Sequence, residues 1–432
     1  FMMLMLGDTL LLYPQKDCLS HRKTALVVTL AFALSPLVII WSRIAVSDAL
    51  LCGTFGISML LQWRRYANPQ SQSWSLPWFF LGLSVLTKGP VALVLMAITF
   101  ALFGIQQRKI SEIFYKLKPL RGLFLTALIA LPWFIIEYLI EGKPFLDSFF
   151  GYHNFQRFTS VVNSHLEPWW YFCLILVVAS IPFTTYLFNG LSKALMSSFD
   201  SFKSNQKKSE LSLGDFAACW MISVFFLFTC AATKLPSYWL PATPAVAIMI
   251  GLSSNNFSRQ DRRVSFYAWI GTVFILILLA VLFWSSSGWI LSVYDPEIPD
   301  LGKELLASGL LFNGAVCLTL IAIVGIILSF NFLPGRLLAL QIPFLLFYLI
   351  VIIPVWELGD KIRQLPLRQV AQLLLTNKKE YEPLAMVGAV KPSVHFYTNK
   401  IILYEGRSAT ALVNLSERLR LEKRQGWQGV PL

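Results

Sequence analysis

Charged residues are scarce in this sequence. Asp, Glu, Lys and Arg make up 14% of its 432 residues, whereas about 25% is typical of a soluble globular protein. Apolar side chains supply 56% of the residues and occur in long blocks. This balance excludes an ordinary soluble domain and predicts an all-α polytopic membrane protein.

Several signature motifs are also missing. The sequence contains no Walker loop, no GxGxxG and no GxSxG, so nucleotide hydrolysis, dinucleotide binding and a hydrolase elbow lack support. Its six cysteines form no CxxC pair, and most lie within or beside apolar runs. We therefore expect small packing residues and not disulfides or metal ligands at Cys18, Cys52, Cys173, Cys219, Cys230 and Cys317.

The net charge of +13 does not indicate nucleic-acid binding, because the basic residues fall between apolar runs and not along one face. One set of connections is basic: 16–23, 62–70, 106–121, 192–208, 259–263 and Arg336. The alternating set is mixed or poor in Lys and Arg: 43–48, 87–90, 142–170, 233–241, 292–304 and the segment after Trp356. Cytoplasmic loops carry the Lys/Arg excess, so the second set is predicted to lie outside.

Runs of roughly 20 apolar residues, the length that crosses a bilayer, predict about twelve spanning segments. They lie near 1–13, 24–41, 47–63, 74–87, 89–106, 121–141, 168–188, 215–233, 237–254, 264–284, 305–331 and 335–355. The stretch 74–106 is divided at Lys88-Gly89-Pro90 because it is too long for one span. The opening FMML lacks the features of a secretory signal. It looks like the tail of a spanning helix, and we expect sequence upstream of it.

The sequence becomes polar after residue 356. Residues 367–379 and 409–424 have the periodicity of amphipathic helices, and 383–390 and 400–406 each predict a short strand. We predict two domains: a multi-helix transmembrane domain at 1–356 and a small α/β domain at 357–432 on the outer face.

The 142–170 connection combines many polar and aromatic side chains, and we predict that it forms part of a reaction chamber on one membrane face. Its polar residues include Asp147, His153, Asn154, Arg157, His165 and Glu167. The two histidines are twelve residues apart with no other ligand at close spacing, which disfavours a metal site made from them. Trp169 and Trp170 fit an interfacial aromatic belt or a platform for a sugar ring.

Other connections of the same set supply more polar residues. Arg43 and Asp48 flank a short turn, and Lys88 precedes Gly89-Pro90. Lys234 and Tyr238 are four residues apart, so a helical turn would place them on one side, although Pro236 disfavours a regular turn. Ionisable groups in membrane segments are functional candidates by default.

A plainer alternative exists for each candidate. Ser47 or Asp48 would be a helix N-cap, and Asn154 and Arg157 would be solvated loop residues. The remainder would be interfacial side chains that extend to the membrane surface: Arg43, Lys88, Lys234 and Tyr238. The functional alternative is a site for a lipid-phosphate sugar. Its cations would hold the phosphate, and a carboxylate would act as general base toward the acceptor hydroxyl.

Five segments in a fixed order carry a resemblance to a known family. They are LTKGPVAL (86–93), PWF (132–134), FFGYHNFQRF (149–158), HLEPWWY (165–171) and KLPSYWLPATPA (234–245). Together they resemble the membrane glycosyltransferases that use polyprenyl-phosphate sugars, such as the lipid A aminoarabinose transferases and the protein O-mannosyltransferases. The likeness covers nearly all of residues 20–400, including KPSVHFYTNK (391–400).

The resemblance implies a GT-C fold, an extracytoplasmic active site in the bacterial inner membrane, and inverting sugar transfer. Lys88, Arg157, Lys234 and Tyr238 match positions in the family's motifs, with Tyr238 the clearest donor-phosphate candidate. Arg43, His153 and Asn154 are further substrate-binding candidates. The family's catalytic acid lies in the first outer loop, which we expect upstream of residue 1. Asp48 resembles the acidic residue of the family's second outer loop and is the catalytic candidate within this chain.

The expected partners are a polyprenyl-phosphate-linked sugar, membrane lipids and a lipid, glycan or protein acceptor. No nucleic acid is expected. The resemblance assigns no metal site or definite cofactor, and it leaves a divalent metal open. Two alternatives remain at this point. One is a transporter or flippase of lipid-linked sugars, which would place ionisable residues near mid-membrane. The other is a noncatalytic truncated homologue.

Overall fold

The computed structural model describes residues 1–13, 20–160, 167–204, 212–255, 259–293, 298–330, 336–378 and 382–424. These residues are mostly helical. The first helices are α1 (Met2–Leu12), α2 (His21–Ala33), α3 (Pro36–Trp41), α4 (Ser47–Ala67), α5 (Ser75–Lys88), α6 (Val91–Gln107), α7 (Ile110–Leu117), α8 (Pro119–Glu141), α9 (Lys143–Leu146) and α10 (Arg157–Thr159). A π-helical segment, Asp147–Gln156, joins α9 to α10.

The second part of the chain continues the helical pattern. Its helices are α11 (Tyr171–Ser180), α12 (Thr184–Ser204), α13 (Leu213–Cys230), α14 (Thr243–Asn255), α15 (Arg259–Trp284), α16 (Ser286–Trp289), α17 (Leu301–Ala307), α18 (Leu310–Ile327), α19 (Leu338–Phe347), α20 (Ile353–Asn377), α21 (Pro392–Thr398) and α22 (Ala411–Arg424). Short 3-10 helices occur at Pro236–Ala242, Ile290–Ser292 and Leu328–Phe330, and Tyr348–Ile352 is π-helical. The strands are β1 (Leu384–Val387) and β2 (Ile402–Glu405).

Five of the described helical stretches are long and apolar enough to cross a membrane, or six if the bent pair α11–α12 counts as one span. They are Pro119–Glu141, Leu213–Cys230, Val264–Trp284, Leu310–Phe330 and Leu338–Asn377. Large apolar side chains are exposed along them, for example Phe124 and Leu128 on α8 and Phe274 on α15. Such apolar surface suits contact with lipid, and the predicted all-α membrane architecture is confirmed. The count of twelve spans stays a prediction.

Two segments predicted as single spans are broken. The 24–41 run divides into α2 and α3 because Pro36 begins a new helix at its first turn. The Ser35 hydroxyl at this break donates to the carbonyl of Ala179, at 2.7 Å. The 168–188 run bends by 115° between α11 and α12. By contrast, the predicted division at Gly89 is present, since α5 ends at Lys88 and α6 begins at Val91.

The 142–170 connection was expected to be a loop, and that expectation is wrong for residues 143–159, which are helical. Aromatic packing explains the difference. Phe145, Phe149 and Phe150 surround the Phe134 ring of α8, with ring-centre distances between 5.2 and 6.5 Å. Packing of these rings against Phe134 stabilises a helical path that the polar composition of the segment concealed.

Helices α4, α5 and α8 pack closely against one another in the region around Trp78. Trp78 of α5 is buried and donates its indole N–H to the carbonyl of Leu117, at 3.0 Å. The carbonyl of Trp78 accepts a hydrogen bond from Thr126 of α8, at 3.1 Å. Gly122 of α8 faces the Trp78 ring so closely that a Cβ atom there would overlap it.

The chain forms two compact units, Phe1–Val281 with Val316–Leu346 and Leu282–Ala315 with Phe347–Leu432. The second unit contains the small α/β region, in which β1 and β2 form a parallel pair and α21 connects them. Leu384, Val394 and Ile402 form its core. Both predicted strands and the helix near 409–424 are confirmed, whereas α21 was not anticipated. The domain boundary after residue 356 stays a prediction, and α20 runs through it unbroken.

Candidate functional site

Three interruptions of the helical pattern bring Asp48, Lys88 and Tyr238 together. Asp48 lies in the first turn of α4, Lys88 is the last residue of α5, and Tyr238 lies in the 3-10 helix that Pro236 begins. The Lys88 ammonium forms an ion pair with Asp48 Oδ1 and lies 4.7 Å from the centre of the Tyr238 ring. Residues far apart in sequence therefore build one charged cluster, which we call the Lys88 cluster.

Water has limited access to the Lys88 cluster. The side chains of Lys88 and Asp48 are 22% and 12% exposed, and Tyr238 is buried. The Tyr238 ring packs on Phe228 of α13 at a ring-centre distance of 4.9 Å. Low exposure strengthens both the ion pair and the cation–π contact, because fewer water molecules screen them.

A second buried lysine belongs to the same connection as Tyr238. Lys234 is 8% exposed, and its ammonium donates to the carbonyl of Glu167 at 3.4 Å. The helical turn that would place Lys234 and Tyr238 on one side is not formed, in keeping with Pro236: Leu235 is extended and the 3-10 helix starts only at Pro236.

Two hydrogen bonds to backbone carbonyls join this connection to the 142–170 region. The Ala232 amide donates to the carbonyl of Phe158 at 2.9 Å, and the Thr233 hydroxyl donates to the carbonyl of Ser160 at 3.0 Å. The connections 43–48, 87–90, 142–170 and 233–241, which the charge pattern assigned to one side, thus meet at one end of the helices.

Sequence reasoning missed one residue that secures this arrangement. Cys52, one helical turn after Asp48 in α4, lies 3.2 Å from the carbonyl of Leu240 and 3.6 Å from the hydroxyl of Thr243. This contact holds the 3-10 helix of Tyr238 against α4. The i, i+4 spacing of Asp48 and Cys52, which places both side chains on one face of α4, was the sequence feature that could have indicated this role.

The other candidates are placed differently. Arg43 is exposed, and it is Lys88 that pairs with Asp48. The predicted N-cap role of Ser47 or Asp48 is wrong, because Val46 occupies that position and no side chain caps α4. His153 and Asn154 lie in the π-helical segment and Arg157 begins α10, but their side chains, like all of His165, lie outside the described residues.

The described residues contain no group of three or more His, Cys, Asp or Glu placed to hold a metal ion. The Lys88 cluster instead offers one carboxylate beside an ammonium, and the connection that carries Tyr238 also carries the buried ammonium of Lys234. Ammonium groups bind phosphate and other anions, whereas hard divalent cations need several oxygen ligands. The chemistry of this set therefore suits an anion.

Gly89 determines how Lys88 is presented, which yields a first prediction. Its φ of +74° and ψ of −154° are strained for any residue with a side chain, at a cost of about 1–3 kcal/mol. We expect Gly89→Ala to lower the melting temperature in detergent and to weaken binding of inorganic phosphate. The control is Gly53→Ala within α4, where a Cβ atom meets nothing within 4 Å. Equal stability of the two variants would contradict this role.

Comparisons with known proteins agree with this architecture. Residues 377–431 match the C-terminal domain of cyanobacterial RgtA-type glycosyltransferases. The chain is 25% identical over 293 residues to the undecaprenyl phosphate-α-4-amino-4-deoxy-L-arabinose arabinosyl transferase 2 of Proteus mirabilis (strain HI4320), covering 63% of this chain and 50% of that protein. It is 27% identical over 262 residues to an uncharacterised protein of Aquifex aeolicus (strain VF5), covering 60% and 48%.

The crystal structure of ArnT from Cupriavidus metallidurans bound to undecaprenyl phosphate superimposes with a TM-score of 0.75 at 18% identity, covering 97% of this chain and 72% of that one. The chain therefore has the fold of this ArnT structure. The apo form of the same ArnT matches with a TM-score of 0.70. At this identity the likeness establishes the GT-C fold alone. The chain spans about half the length of the curated relatives it matches.

Proposed function

We propose that this GT-C chain is a glycosyltransferase that moves a sugar from a polyprenyl-phosphate donor to an acceptor at the extracytoplasmic face of the bacterial inner membrane. The names of its relatives support this donor class, since several are undecaprenyl-phosphate arabinosyl transferases. The observation that carries the proposal is the Lys88 cluster, in which a cation and a phenol from different helix ends converge beside a carboxylate.

The position of the cluster suits a lipid-phosphate donor. Such a donor keeps its chain in the bilayer and its phosphate at headgroup level. The Lys88 cluster lies where α4 begins and α5 ends, and helix ends of this kind lie near the membrane boundary. The basic connections 62–70 and 106–121 lie at the opposite ends of α4 and α6, which supports the outward orientation of the cluster.

Each residue of the cluster receives a role in the proposal. The Lys88 ammonium would bind the donor phosphate, with the Tyr238 hydroxyl donating a hydrogen bond to it. The Asp48 carboxylate now occupies the place beside Lys88, so an entering phosphate competes with it. Once displaced from Lys88, that carboxylate would be free to accept the proton of an acceptor hydroxyl.

A conservative substitution tests the phosphate role directly. Tyr238→Phe keeps the ring beside Lys88 and Phe228 but removes the hydroxyl. A hydrogen bond to a charged group contributes about 1.5–3 kcal/mol, so we expect undecaprenyl phosphate to bind about tenfold or more weakly. Binding is measured with the chain in nanodiscs, and sugar transfer is measured in the same particles with undecaprenyl phosphate-α-4-amino-4-deoxy-L-arabinose and lipid A.

The matched control is Tyr138→Phe, at an exposed tyrosine of α8. It should leave both binding and transfer unchanged. Equal binding by Tyr238→Phe and the parent chain would contradict the phosphate role. Movement of the donor between leaflets without transfer to lipid A, a peptide or a glycan would instead favour the flippase.

A further inference from the structure

The opposite end of α4 carries a second charged feature. A groove of about 830 Å³ lies between the end of α4, the short helix α7 and the start of α8. We define the basic groove by the side chains that give it its character: Arg65, Phe114, Tyr115, Lys116, Lys118 and Arg121. We propose that the basic groove binds an anionic glycerophospholipid of the leaflet opposite to the Lys88 cluster.

The location follows from helix geometry. Asp48 and Arg65 lie in the same helix, seventeen residues apart, which corresponds to about 26 Å along the axis. The hydrocarbon core of a bilayer is about 30 Å thick. With α4 as a spanning helix, as the sequence predicts, and the Lys88 cluster at one boundary, as proposed above, the basic groove lies at the headgroup level of the other.

Helix α7 has the character of an interfacial helix. It buries Ile113 and Leu117, whereas Phe114 and Tyr115 are 57% and 84% exposed. Exposed aromatic rings beside basic residues are typical of segments that lie at the membrane surface. The exposed Leu120 at the start of α8 extends this apolar edge toward the bilayer, where it would meet an acyl chain.

The groove is positively charged, and no Asp or Glu is among the described residues that line it. Arg65 donates to the carbonyls of Lys116 and Gln72, at 3.1 and 2.7 Å, so these contacts fix the guanidinium without neutralising it. Lys116 pairs with Glu112 at 2.8 Å, which compensates one charge. Lys118 and Arg121 add two more positive charges. The charge of the groove is thus complementary to a phosphodiester headgroup.

The backbone conformation of Lys118 makes it a suitable residue for a test. Its φ is +51° and its ψ is +55°, in the left-handed region, where Gly or Asn is favoured at the end of a helix. A lysine in this conformation is less favourable than glycine, and Arg108 at the end of α6 has the same conformation. Lys118 nevertheless places a positive charge in the groove, although Gly or Asn would fit this backbone conformation better.

Lipid binding can be tested on the full chain because Lys118→Gly removes the charge and also relieves the backbone strain. The variant is therefore expected to fold at least as well as the parent. Binding of phosphatidylglycerol and phosphatidylcholine is measured by native mass spectrometry of the detergent-solubilised protein. We expect a preference for phosphatidylglycerol, weakened about fivefold by Lys118→Gly. Arg121→Gln, at an exposed position of α8, should have a similar effect.

The matched control is Arg108→Gly. Arg108 is also a basic residue with a left-handed backbone, at φ +52°, but it precedes α7 and does not line the groove. Its substitution should leave the preference unchanged. An equal loss with Arg108→Gly, an unchanged preference in both groove variants, or equal binding of the two phospholipids would overturn the proposal. Displacement of phosphatidylglycerol by undecaprenyl phosphate, with the same dependence on Lys118, would also overturn it.

Discussion

Replacing Lys88 with Gln is expected to lower the free energy of unfolding by about 3 kcal/mol and to weaken undecaprenyl phosphate binding by at least tenfold. The stability loss arises because the Asp48 carboxylate, only 12% exposed, is left without its ion-pair partner. The binding loss arises because the ammonium that would hold the phosphate is gone. Both quantities are measurable on the same purified protein, by denaturant titration in mixed micelles and by titration with the lipid.

A double-mutant cycle separates the two effects. In Asp48→Asn combined with Lys88→Gln, two neutral amides replace the charges, so most of the lost stability should return. Phosphate binding should stay weak. Asp48→Asn alone should bind undecaprenyl phosphate more tightly than the parent chain, because a competing anion has been removed from Lys88. Full restoration of binding in the double variant would contradict the role of Lys88.

Gly122→Ala is expected to destabilise the protein by about 3 kcal/mol, the upper end of the usual cost of overpacking. The new methyl group would overlap the ring of Trp78. This ring cannot move aside easily, because it is buried and its N–H is hydrogen-bonded to the carbonyl of Leu117. The measurement is again denaturant titration in mixed micelles.

A second substitution serves as the control for this contact. Trp78→Leu removes the ring that the methyl group meets, so Gly122→Ala should cost much less in that background than in the parent chain. Strictly additive effects of the two substitutions would show that α5 and α8 do not meet as described. Gly151→Ala provides a neutral comparison, because a Cβ atom there makes only ordinary contact, 3.8 Å from the carbonyl of Leu146.

Local features of the fold were predictable because their causes are local. The division between α5 and α6 follows from Gly89 and Pro90, and the strands β1 and β2 follow from short apolar runs bounded by polar residues. Helix α21 escaped prediction because its seven residues include the polar Ser393 and His395 and too few turns to show a period. The helical course of 143–159 escaped because it depends on aromatic contacts with α8, which composition does not display.

The candidate site was likewise predictable from the sequence only in part. Charge alternation between connections indicated that Asp48, Lys88 and Tyr238 belong to one side, and the resemblance pointed to all three. The ion pair itself joins residues 40 positions apart, and the sequence offered Arg43 equally well as the partner of Asp48. The roles of Arg157, His153 and Asn154 stay predictions.

By itself, the sequence determined that this protein is a helical membrane protein and which residues form the strands of its small α/β region, and it predicted which connections share a side. These properties depend on hydrophobic length, periodicity and the distribution of Lys and Arg, which are all readable along the chain. Only the tertiary structure decided that Lys88 pairs with Asp48 beside Tyr238, and that the end of α4, α7 and the start of α8 form a basic groove. Both arise from packing between helices, because a side chain's neighbours across a helix interface depend on crossing angles and breaks that sequence spacing does not specify.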